Sequence, residues 1–217
     1  MLKAGIDQDA IITMFASAST KGGEQLRKAV GQATLAALQG RELSLKNIRG
    51  VLKTMAQAAS TGAGKNLTPG LDVESLLDKA VAGMDDALVK AVEANRVALQ
   101  QFVAQGADLR DKHLKKALTD LENMEDTFIG ALRKATEAAS SQMSSQWAPV
   151  LEKLQAGGTL SGAQAATAAE QFAGQMQTAM RDSRSAGLRA AQTLAEGYAT
   201  LVSGVLIGMS DALSQGG

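Results

Sequence analysis

The chain has 217 residues, of which 45% are hydrophobic and 20% charged, and its 22 Lys and Arg balance 22 Asp and Glu. A net charge of zero offers no field to draw in nucleic acid or an anionic membrane, and the absence of Cys excludes disulfides, thiolate metal sites and thiol nucleophiles. Aromatic residues are only 3%, Pro occurs twice, and Ala, the best helix former, fills about a fifth of the positions. The expected fold is therefore all-α: an elongated antiparallel bundle or coiled coil of long helices, with a thin core of Ala, Leu, Val and Met. The opening MLKAGIDQDAII has no apolar run long enough for a signal peptide, so a cytoplasmic chain without a transmembrane span is expected.

Residues 7–39 read as helix from an N-cap at Asp7, broken in two at Gly22-Gly23 and stopped at Gly40. Ser44 is the next N-cap. Leu45, Ile48, Leu52, Met55 and Ala59 follow it at spacings of three or four, on one face of a helix that should end near Gly62. The organisation expected is a short-helix region over 1–62, a loop over 63–71 rich in Gly and Pro, and a long antiparallel helical hairpin over 72–217.

In the last region Val73, Leu77, Val81, Met84, Leu88, Val92, Leu99 and Phe102 keep a near-heptad rhythm. Leu114, Leu118, Leu121, Phe128, Leu132 and Ala135 resume it after a slip near Gly106 and Asp108. That pattern favours one bent helix over 72–147, roughly 115 Å long and ended by Trp147-Ala148-Pro149, over the alternative of a hairpin turning back near Gly106. After Gly157-Gly158, Ser161 and Gln164 have the form of a capping box. A second long helix with a seam from Phe172 and Met176 to Val205, Gly208 and Ala212 should follow.

Candidate chemistry is sparse. His113 is the only His, and its nearest acid, Asp111, is two residues away and so faces elsewhere on a helix. Gly64-Lys65-Asn66 lacks the leading Gly and the following Ser or Thr of a phosphate loop. Asp85-Asp86 and Glu125-Asp126 point about 100° apart within each pair and read as solvated faces. No catalytic set, metal site or cofactor site is expected, and the chain reads as a protein without enzymatic activity.

One segment departs from this pattern. Residues 198–209, YATLVSGVLIGM, carry no charge and are apolar around most of a helix, yet are too short to span a bilayer. Val202, Val205, Leu206, Ile207, Met209 and Leu213 are the candidate contacts to a surface or partner, and Gly204 and Gly208 form a small-xxx-small pair for close helix packing. Apolar surface left uncovered by a single helix pair points to a homo-oligomer.

The phrases GALRKATEAASSQMSSQW and QMQTAMRDSRSAGLRAAQTLAEGY, set in long amphipathic helices rich in Ala, Gln and Ser, resemble phasins over about residues 72–213. The chain is also similar to bacterial helical proteins of unassigned function, with ALQGRELSLKNIRGVLKTMAQAASTGAG as a helix-turn-helix opening. The phasin resemblance implies adsorption through amphipathic helices to polyhydroxyalkanoate or lipid-like granules, with no bond made or broken. The alternative is a soluble oligomeric coiled-coil scaffold or adaptor.

Overall fold

Glycine pairs and single hydroxyls punctuate a chain that otherwise favours helix throughout. In the computed structural model the described residues are 8–17, 22–39, 44–65, 72–104 and 112–182. They form α1 (Gln8–Ser17), α2 (Gly23–Leu38), α3 (Leu45–Lys65), α4 (Val73–Ala104), α5 (Lys112–Glu122), α6 (Met124–Glu137), α7 (Ser141–Gly157) and α8 (Leu160–Asp182), and no strand occurs among them. The protein is all-α. Asp7, Gly40, residues 66–71, Gly106, Asp108 and the seam from Ser183 onward lie outside the described residues, as do the side chains of Leu114, Met176 and Ala179.

α2 begins at Gly23 with Gly22 as its N-cap, in keeping with the low helix propensity of the pair, and residues 18–21 between it and α1 lie outside the described residues. Ser44 starts α3: its hydroxyl accepts from Asn47 N at 3.4 Å and its carbonyl from Ile48 N at 3.0 Å. Ile48, Leu52, Met55 and Ala59 are buried on one face. The helix does not stop at Gly62 but continues to Lys65, because Gly62 and Ala63 are themselves buried and packing outweighs the roughly 1 kcal/mol propensity cost of each Gly.

The single bent helix over 72–147 is replaced by four helices. The chain reverses between Ala104 and Lys112, as the course of α8 reveals. Leu160 and Ser161 of α8 bond Asp85, and Gln164 reaches Glu93, so α8 runs in the same sense as α4. Its amino end also meets Glu125 of α6 while its later turns lie on the preceding helix α5, so α5 and α6 run opposite to both. The phase slip read as a bend is therefore a change of direction.

Two further breaks follow. Asn123 interrupts the helix for one residue, its side chain donating to the Thr119 carbonyl at 2.7 Å. Ser140, extended at φ −62° and ψ 155°, accepts from Met143 N and begins α7. Pro149 does not end the preceding helix but lies inside α7. It lacks the N–H that would bond the Ser145 carbonyl, a cost of about 3 kcal/mol. Trp147 and Val150, at 0% and 1% exposure, flank it, and burial at about 1.5–3 kcal/mol per large side chain offsets that cost.

The core is continuous from Ile11 to Phe172 and rich in Ala, which lets helix axes approach closely. At the centre lies α4, packed against α2, α3, α7 and α8, while α3 is sandwiched by α1 and α6. Every α4 seam residue from Val73 to Phe102 named above is buried. The short helices and the later ones thus share one core.

Candidate functional site

The residues proposed for surface contact, Val202, Val205, Leu206, Ile207, Met209 and Leu213, and the packing pair Gly204 and Gly208, lie outside the described residues. The side chain of His113, on α5, does so too. What the structure brings together instead is a set of polar groups at the amino end of α8.

A helix begins with N–H groups that have no intrahelical partner. At α8 these are taken one after another. Thr159 N donates to Glu125 Oε1 at 2.9 Å, Leu160 N to Asp85 Oδ2 at 2.7 Å, and Ser161 N to Asp85 Oδ1 at 3.0 Å. Gly162 N donates to Thr159 Oγ1 at 2.9 Å, which makes Thr159 the N-cap. The capping box expected at Ser161 and Gln164 does not form, because Ser161 N is already bonded to Asp85 and Gln164 reaches out to Glu93 Oε2 at 3.4 Å.

Two glycines make room for this arrangement. Gly158 has φ +71°, a left-handed conformation that costs Gly little, and a Cβ there would stand 2.7 Å from Glu125 Oε1. A Cβ on Gly162 would stand 2.8 Å from Glu125 Cβ. The carboxylates come from α4 and α6, so the start of α8 is fixed to two separate helices.

The adjacent acids read as solvated faces do point apart, but Asp85 is only 7% exposed and is not solvated. Asp86 instead makes a two-point pair with Arg27 of α2, at 2.6 Å to Nε and 2.8 Å to Nη2, and this bond raises the Arg27 pKa. Glu125 faces α8 while Asp126 is exposed. The sequence carried one signal for Asp85: it lies four residues after Val81 and three before Leu88, on the face that packs inward.

Other charged groups tie helices together. Lys153 of α7 lies 2.8 Å from both Glu74 and Asp78 of α4, and those hydrogen bonds push its pKa up. Lys79 pairs with Glu24. Arg96 bonds both oxygens of Glu93 and holds that carboxyl below its ordinary pKa, against the opposing effect of burial. Both oxygens of Asp85 and one of Glu125 accept backbone N–H groups, so these carboxylates anchor the start of α8 mechanically. Among the described residues no group of three or more His, Asp or Glu is placed to hold a metal ion. No helix among them is long and apolar enough to cross a membrane.

One family profile matches residues 1–215. The chain belongs to DUF6781, a family of unknown function. No curated protein and no solved structure matches it. The DUF6781 match takes in both the anchored helical body and the uncharged segment near the C-terminal end.

Proposed function

We propose that this DUF6781 member is a non-enzymatic, phasin-like protein that works in the cytoplasm as a homo-oligomer. In this reading a helical body presents a hydrophobic segment, residues 198–213, to a polyhydroxyalkanoate or lipid-like granule surface. The observation that supports it is a contrast between the burial of apolar side chains in the described body and the composition of that segment. Among the described residues one large hydrophobic side chain is exposed, Leu160 at 63%, whereas residues 198–209 place twelve uncharged positions in a row.

The seams of α3, α4 and α6 are used inside the body, so adsorption by opening those helices would forfeit core contacts. A separate segment avoids that cost. Each apolar side chain it buries contributes about 1.5–3 kcal/mol before ordering costs, enough for reversible attachment by a few residues. Gly204 and Gly208, spaced for close helix approach, favour the second reading of an oligomeric scaffold or adaptor.

Replacing Leu206 and Ile207 together by Gln tests both readings. Weaker adsorption to polyester granules with unchanged melting temperature and sedimentation supports the granule reading. Dissociation of the oligomer with unchanged adsorption supports the scaffold. Unchanged adsorption together with an unchanged oligomer would refute the assignment of this segment.

A further inference from the structure

Away from the α8 anchor, the last turns of α3, the end of α6 and the start of α7 line an open cleft of about 440 Å³. That volume lies within the range of small-molecule sites. The wall from α6 and α7 is mostly apolar, with Ala135, Ala138, Ala139 and Met143 around the Ser140 hydroxyl, and the wall from α3 carries Gln57, Ser60, Thr61 and Lys65.

The hydrogen bonds already made decide what the polar wall can still offer. Ser60 Oγ donates to the Ala56 carbonyl at 2.9 Å and accepts from Trp147 Nε1 at 2.9 Å, which leaves one lone pair. Thr61 Oγ1 donates to the Gln57 carbonyl at 3.0 Å and also keeps lone pairs alone. Both hydroxyls therefore face a ligand as acceptors. The donors are the Gln57 amide, the Lys65 ammonium and the Ser140 hydroxyl, whose oxygen already accepts from Met143 N at 3.4 Å.

Lys65 is the one charged residue in the lining, and among the described residues it makes no ion pair. The carboxyl ends of α3 and α6 each add about half a negative charge and the amino end of α7 about half a positive one, so the Lys65 charge sets the sign. We propose that this cleft binds a small hydroxylated monocarboxylate, its carboxylate on Lys65, its hydroxyls donating to Ser60 and Thr61, and its carbon chain along the alanine wall. The site is independent of the granule reading.

Trp147 is the only Trp in the chain, and its indole is bonded to a wall residue of the cleft, so its fluorescence reports occupancy. The full-length protein is titrated with D-gluconate, followed by that fluorescence and by calorimetry. Sorbitol, which has the hydroxyls but no carboxylate, and butyrate, which has the carboxylate but no hydroxyls, serve as comparisons. Gluconate is expected to bind saturably with Kd on the order of millimolar, and both comparisons more weakly. Lys65→Gln should weaken gluconate binding about tenfold or more and Lys65→Arg far less, with helical circular dichroism unchanged in both. No saturable heat from gluconate at about 50 mM, binding of sorbitol as tight as gluconate, or unaltered binding to a folded Lys65→Gln variant would each overturn the assignment.

Discussion

Gly83 of α4 lies so near the backbone of Arg27 on α2 that a Cβ placed on it would stand 2.3 Å from the Arg27 carbonyl oxygen. The same helices meet again where a Cβ on Gly31 would lie 3.1 Å from the Gly83 carbonyl. Ion pairs of Glu24 with Lys79 and of Arg27 with Asp86 flank this approach. Helix propensity alone favours Ala over Gly by about 1 kcal/mol, but backbone has to move to admit it at position 83. Gly83→Ala should therefore destabilise by about 1–3 kcal/mol net, and Gly31→Ala by much less. Urea denaturation of the two variants checks the order, and a Gly83→Ala protein as stable as the parent would contradict the close crossing.

At the amino end of α8, Asp85→Ala removes acceptors from two N–H groups and should lower stability by about 2 kcal/mol or more. Asp85→Asn keeps one carbonyl acceptor and should lose less. Glu125→Ala, which frees only Thr159 N, should cost about 1 kcal/mol. Hydrogen exchange offers a local reading: the amides of residues 159–161 should exchange faster in these variants, with α2 and α3 unaffected.

Ser60 and Trp147 form a buried pair that joins α3 to α7. Ser60→Ala leaves an indole N–H without its acceptor, at about 1–3 kcal/mol. In Trp147→Phe that donor is gone, so adding Ser60→Ala should cost less than it does in the parent. A double-mutant cycle measures the difference, and strictly additive losses would mean that the hydrogen bond contributes nothing.

Glu93 gives a pH dependence of known sign. Its two hydrogen bonds from Arg96 hold its carboxyl below the ordinary value of 4.5, with burial acting the other way. The unfolded chain binds a proton at this group more readily than the folded one, so the contribution is complete above the ordinary value and is lost as pH falls through the lowered one. Glu93→Gln should flatten the acid limb of a plot of melting temperature against pH below about 4.5, with little change near neutrality.

The periodic apolar positions were legible because burial imposes them directly: each seam residue of α4 went where its spacing placed it. Ser44 was legible as a cap because its partners are three and four residues away. The α8 anchor was not, since the groups that satisfy residues 159–161 lie 34 to 76 positions earlier in the chain. Local pattern suggested Ser161 as the cap and made Asp85 look solvated. Pro149 misled for a related reason, because its local penalty is set against tertiary burial of Trp147 that no window around it reveals. The reversal after Ala104 was hidden by a heptad rhythm that two antiparallel helices carry as well as one bent helix does.

The α8 anchor also bears on the order in which the protein is made. A ribosome delivers Asp85 and Glu125 well before Leu160, so the acceptors for the first amides of α8 are in place on α4 and α6 before those amides exist. Among the described side chains of α8 the buried apolar ones are Ala165, Ala168, Ala169 and Phe172, a face with one large residue. Synthesis thus supplies a template first and the strand of chain that reads it afterwards. A chain released before residue 160 would hold two carboxylates with no amides to meet.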